Sequence, residues 1–140
     1  MRKYMFFILI IFLSSCTSSL DRKLTGIWSI DIDSLETTNM VWLDCIGNGL
    51  VLEDDHTALL PGFFNIDINS KNDIKWESIS DEGGNAIYFH TSPDNPMQGK
   101  FKITFYKDYK EKLFKMKLEN ENTVIICRKG LQSFWDDPSW

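Results

Sequence analysis

Short runs in which apolar and polar residues alternate dominate the 140-residue chain, and polar clusters separate them. From Lys23 to Ile32, Trp28, Ile30 and Ile32 fall on one face and Ser29, Asp31 and Asp33 on the other, which predicts a half-buried strand. Met40-Val41-Trp42-Leu43 and Leu50-Val51-Leu52-Glu53 follow, separated by Gly47-Asn48-Gly49. Asp54-Asp55-His56 predicts a hairpin turn into Thr57-Ala58-Leu59-Leu60. Phe63 to Asn72 reads as a covering loop or a short extra strand. Ile74–Ile79, Asn85–His90, Lys100–Phe105, Phe114–Leu118 and Thr123–Arg128 then alternate in turn. The clearest is the third of these, with Phe101, Ile103 and Phe105 inward and Lys100, Lys102 and Thr104 outward. No stretch sustains a period of 3.6, apart from a turn after Gly130. About eight antiparallel strands with one wet face predict an all-β fold, closed as an up-and-down barrel or left open as a sandwich.

The N-terminus has a different pattern. Met1-Arg2-Lys3 is positive, and Met5 to Leu13 is an unbroken apolar run, shorter than the roughly 20 residues a spanning helix needs. It has the length of a secretory signal core. The junction Leu13-Ser14-Ser15-Cys16 resembles the lipobox of bacterial lipoproteins. That resemblance implies cleavage after residue 15 and acylation of Cys16. Each buried methylene contributes about 0.8 kcal/mol, so two or three chains anchor where one binds marginally. Residues 1–15 are therefore expected to be signal peptide, 16–22 a lipidated tether, 23–130 the barrel and 131–140 a short irregular tail. Thr17 stands where such lipoproteins carry aspartate when held at the inner membrane, so the resemblance implies the outer membrane, facing the periplasm.

Loss of residues 1–15 removes Arg2 and Lys3 and no acid, which moves the formal charge from −5 to −7. An acidic domain has no electrostatic reason to seek nucleic acid or anionic headgroups. Cys45 and Cys127 remain in an oxidising compartment, as a pair or as two small buried hydrophobes.

Gly26-Ile27-Trp28, opening the first strand, resembles the Gly-x-Trp signature of lipocalins and of lipocalin-like domains on bacterial lipoproteins. The resemblance implies that Gly26 bends the chain at the closed end, Trp28 plugs the base, and a basic residue late in the last strand, Arg128, lies across the indole. Two departures make the chain lipocalin-like only. The Thr-Asp-Tyr signature is missing, its nearest counterpart being Tyr106-Lys107-Asp108-Tyr109, and in Leu131 to Trp140 Pro138 limits any flanking helix to one or two turns. In that topology Cys127 and Cys45 would lie across an intervening strand, roughly 9–10 Å apart at ordinary strand spacing. A disulfide tolerates about 7 Å, so a bridge would need Cys45 on a loop folded over the barrel.

Evidence of catalytic chemistry is thin. His56 and His90 fall at turn positions without a second ligand at zinc spacing. Asp67-Ile68-Asn69-Ser70-Lys71 begins like a calcium loop but has lysine, Asn72 and Ser78 where acid or glycine is needed. Asp54-Asp55, Asp81-Glu82 and Asp136-Asp137 fall in turns or the tail, where nothing separates their pKa values. No enzyme activity, cofactor or metal is expected; a catalyst of unrecognised type would need polar residues clustered inside the barrel.

Trp42, Trp76, Phe89, Phe101, Phe105 and Phe114, like Trp28, fall on inward faces, where they fill the interior or line a mouth for an apolar ligand. Phe63, Phe64, Trp135 and Trp140 are expected to contact a partner. The sequence therefore predicts a monomeric, lipid-anchored envelope binding module for a small apolar molecule or lipid. The alternative is a protein-interaction or inhibitor module that uses a filled barrel as scaffold, with an envelope protein as partner.

Overall fold

A computed structural model of the chain describes residues 18–44, 48–65 and 74–133. Ser18 Oγ accepts the Asp21 amide at 3.1 Å and so caps a short helix, α1 (Ser19–Leu24). Leu20 and Leu24, four residues apart on one helix face, are both buried in the core. Helix α1 thus begins inside the stretch expected to be tether. The chain then turns at Gly26, whose φ of 137° is one that L side chains rarely adopt.

Among the described residues nine strands follow: β1 (Gly26–Ile30), β2 (Glu36–Thr37), β3 (Gly49–Leu52), β4 (Ala58–Leu59), β5 (Lys75–Asp81), β6 (Gly84–His90), β7 (Gly99–Asp108), β8 (Leu113–Glu119) and β9 (Thr123–Ser133). Eight of them lie side by side in the order β4-β3-β1-β9-β8-β7-β6-β5, and the short β2 pairs with the start of β9. Every ladder is antiparallel, and β1 is flanked by both β3 and β9. The two ends of the path meet at a single bridge, Thr57 to Lys75. There the Ala58 amide donates to the Ile74 carbonyl and the Trp76 amide to the His56 carbonyl, both at 2.8 Å. The result is an eight-stranded, antiparallel, nearly closed barrel of lipocalin-like architecture, as the alternation predicts.

The pleat sorts the side chains. Along β7, Phe101 and Ile103 are buried and Phe105 is half-buried, while Lys100, Lys102 and Thr104 are exposed. Apolar inside and charged outside is the reverse of a barrel that spans a membrane with its strands. No helix among the described residues is long and apolar enough to cross one. Cys127, paired with Ile30, is a buried free thiol in the same core. Burial pushes its pKa up. Cys45 lies outside the described residues.

The register assigns the ends. At the lower end are α1, the β3–β4 turn, the β5–β6 turn and the β7–β8 turn. The β1–β3, β4–β5, β6–β7 and β8–β9 connections meet at the upper end.

Three boundaries differ from the sequence expectation. Ile32 leaves the strand for a 3-10 turn and is exposed, because Asp31 captures both the Ser34 hydroxyl and the Ser34 amide and so ends β1. Met40–Asp44 is a 3-10 helix and not a strand; the Asn39 side chain accepts the Val41 amide at 3.1 Å and sets the turn. Strand β9 runs on to Ser133, into the expected tail.

A Cβ at Gly26 would meet Lys129 Cε at 3.5 Å, an ordinary contact, so the cost of a side chain there is conformational. Gly26→Ala should therefore lower the unfolding free energy by about 1–3 kcal/mol in urea titrations. Gly49→Ala, with open space around it and an ordinary φ, should fall within about 0.5 kcal/mol of wild type. Equal effects at the two positions would contradict the role given to the Gly26 backbone.

Candidate functional site

The lower end is built around Trp28. Its Nε1 donates to the Leu24 carbonyl at 2.7 Å, which joins the plug to the end of α1. Lys129, directly across the ladder, carries its Nζ 5.7 Å from the centre of the Trp28 ring and donates to the Lys23 carbonyl at 3.4 Å. Lys23 in turn lies 5.5 Å from the Phe105 ring centre. The cation over the indole is thus Lys129, and the assignment to Arg128 is corrected. Arg128 is the register partner of Ser29 and Lys115, one residue out of phase, so the pleat turns it outward.

A second network holds α1 to the barrel's seam. Asp21 accepts from Ser78 Oγ of β5 through one oxygen and contacts His56 Nε2, at the β3–β4 turn, at 2.9 Å through the other. The His56 ring lies edge-on to Trp76 at 4.6 Å, and Trp76 Nε1 donates to the Glu53 carbonyl at 3.1 Å. His56 is therefore a partnered turn residue, held at a φ of 67°. One carboxylate spans the two strand ends that share only one bridge. Burial alone would raise its pKa, but the hydrogen bonds from Ser78 and His56 outweigh that and hold it below the ordinary carboxylate value.

The upper end is covered by side chains from loops. Trp42 of the 3-10 helix Met40–Asp44 meets Phe64 of the 3-10 helix Gly62–Asn65, ring centres 4.7 Å apart and edge to face. Asn95 ties this pair to the β6–β7 loop: its Nδ2 donates to the Phe64 carbonyl at 2.7 Å and its Oδ1 accepts the Met97 amide at 2.9 Å. Trp42, Phe64 and Met97 are all buried in the core cluster. Phe64, expected at an exposed partner contact, is thus a core residue, because Asn95 draws its turn down onto the barrel. The Trp42 Nε1 is buried with no hydrogen-bond partner, which costs about 1–3 kcal/mol.

The remaining inward aromatics fill the interior. Trp76, Phe89 and Phe101 are fully buried, the last two as an edge-on pair with ring centres 6.0 Å apart. Phe105 is half-buried against the cluster, and Phe114 is buried at the start of β8. Cys16, Trp135, Trp140 and the side chain of Phe63 lie outside the described residues.

A cleft of 480 Å³ lies on the outside of the wall, between the top of β1 and strands β8 and β9. Asp31, Asp33, Asn48, Glu111, Lys115 and Arg128 line it, with Ile32 and Ile126. Lys115 is fixed by Asp108 at 2.9 Å and Glu111 at 3.0 Å, and these bonds raise its pKa against the opposing effect of burial. Its charged lining suits polar contacts and not an apolar guest.

Sequence reasoning missed Asp21, Asn95, Met97 and Lys129. Asp21 and Asn95 carry only the generic signal of a polar residue near a helix start or turn. Lys129 is told from Arg128 by the register of β9 against Trp28. The chain matches no protein-family model, no curated protein and no solved structure.

Lys129→Met should cost about 0.5–2 kcal/mol of stability through loss of the cation over Trp28, whereas Arg128→Met should change it by less than about 0.5 kcal/mol. The reverse ranking would restore Arg128 to the base. A depressed carboxylate stabilises the fold above its unfolded pKa, and that contribution is lost as pH falls through the folded value, here below the ordinary 3.8. Asp21→Asn should therefore cost about 1.5–3 kcal/mol at neutral pH. The acid limb of its stability profile should also be shallower than that of wild type, as read by urea unfolding from about pH 5 to pH 2.

Proposed function

We propose that this protein is a lipid-anchored envelope binding module that holds a small apolar molecule at the upper end of its barrel without covalent chemistry. The observation that carries this reading is the asymmetry of closure. The lower end is sealed by α1, which is hydrogen-bonded into Trp28 and Ser78. The upper end is covered by Trp42, Phe64 and Met97, each from a different connection. The barrel, with its seam closed by one bridge between Thr57 and Lys75, is consistent with a ligand-binding calyx. Apart from Lys129 at the base, the side chains buried in the core cluster are apolar, which favours retention over catalysis. The lipobox-like junction at Cys16 supports export and acylation, with the protein held at the outer membrane and facing the periplasm.

A second reading, a scaffold that meets an envelope protein, is favoured by the outer face. Ile27, Val51 and Leu59 are register partners across β1, β3 and β4, and Ile27 and Leu59 are 63% and 57% exposed. Such a row is a sticky patch on an otherwise charged wall.

Two measurements separate these readings. Protein purified from its membrane without added ligand should carry a near-stoichiometric apolar compound, detected by native mass spectrometry. Phe64→Arg should lose it while still unfolding cooperatively; a ligand-free wild-type protein that also fails to take up alkanes would leave the scaffold reading. In cells, labelled fatty acid should be incorporated in wild type and absent in Cys16→Ser.

A further inference from the structure

The described tryptophans differ in one respect. Trp28 Nε1 donates to Leu24 and Trp76 Nε1 to Glu53, so each indole at the lower end and along the wall is satisfied within the fold. Trp42, at the upper end, is as buried as they are, and its Nε1 has no partner. The side chain is not free to turn to solvent. Its backbone amide donates to the Asn39 carbonyl at 3.2 Å, and its ring is set edge to face against Phe64, whose own turn Asn95 fixes. Natural folds seldom leave such a donor unmade, and each one that is left calls for an explanation.

Resting on the reading of the upper end as a ligand site, we propose that the ligand carries a neutral hydrogen-bond acceptor, a ketone or ester carbonyl on an apolar body, received by Trp42 Nε1. An indole N–H offers one hydrogen bond and no charge. An ionised carboxylate buried there would need a cation beside it. Among the described residues the buried charge is Lys115, which Asp108 and Glu111 already neutralise on the outer wall. The chain's net charge of −5 further disfavours an anion. The body of the ligand must be apolar because the indole is packed edge to face with Phe64 and both rings belong to the buried apolar cluster, which also holds the adaptable thioether of Met97. The site thus selects by a single directed bond within a greasy surround. That is the arrangement in which a matching acceptor discriminates most strongly, since the apolar analogue leaves the donor unpaired.

The test uses the purified full-length protein and three probes of similar length: methyl hexyl ketone, nonane and octanoate. Nuclear magnetic resonance of the indole N–H groups, with Trp42 assigned by through-bond experiments on the wild type, should show the Trp42 proton moving downfield with the ketone and staying in place with nonane. By calorimetry, Trp42→Phe should weaken the ketone about tenfold more than it weakens nonane, equivalent to a difference of about 1.4 kcal/mol. Octanoate should bind worse than the ketone at neutral pH. Equal losses for ketone and nonane, an unmoved indole proton, or octanoate as the tightest probe would each overturn the inference while leaving the apolar site standing. Failure of all three probes to bind would remove the site and the inference together. The wild-type resonance shift does not depend on how well the Trp42→Phe variant folds.

Discussion

A sheet that closes on itself is only as continuous as its last boundary. Here that boundary, between β4 and β5, is held by one bridge and two backbone hydrogen bonds, while the β5–β6 ladder next to it pairs seven residues on each side. Strand β4 is two residues long, too short to offer more. Asp21 makes up part of the deficit from outside the sheet, binding Ser78 on one side of the gap and His56 on the other. The helix that carries Asp21 is fixed by Leu20 and Leu24 in the core and by the Trp28 indole beneath its last carbonyl. Plug, seam and base are therefore one mechanical unit, with the carboxylate at its centre.

The two ends of the barrel are built by different means. Below, a capped helix and two lysines over aromatic rings give a closure in which each indole and ammonium has a stated place. Above, three loop side chains meet over the core, positioned by two asparagines that satisfy neighbouring backbone groups. Hydrogen bonds to loop backbone determine where Trp42, Phe64 and Met97 lie, and packing determines how far they are buried. Among the described residues, the buried side-chain donor left unmade, Trp42 Nε1, lies in this loop-built upper end.

Most of the barrel is legible in the sequence because a strand with one buried face repeats at a period of two. Phe101, Ile103 and Phe105 against Lys100, Lys102 and Thr104 leave little choice of face. The errors occur where local side-chain bonds override that period. Asp31 and Asn39 each pull a nominal strand into a 3-10 turn, which no alternation count registers. Arg128 and Lys129 show a subtler limit: both are basic and both lie in β9, but only the register with Trp28 tells which one faces in. Phe64 looked like a surface aromatic because its loop is polar; the Asn95 bond that buries it spans 31 residues and leaves no local trace. The fold is written in short-range pattern, whereas the cover of the upper end depends on contacts between distant loops.

The position of α1 has a consequence for how the molecule would be presented on a membrane. The helix starts at Ser19, three positions beyond Cys16, and covers the lower end. A leash of that length reaches at most about 10 Å when fully extended. An acyl anchor at Cys16 would therefore hold the barrel base-down, with the loop-covered upper end pointed into the aqueous space. On the reading proposed above, a ligand of the upper end would then be met from the water side, away from the supporting leaflet.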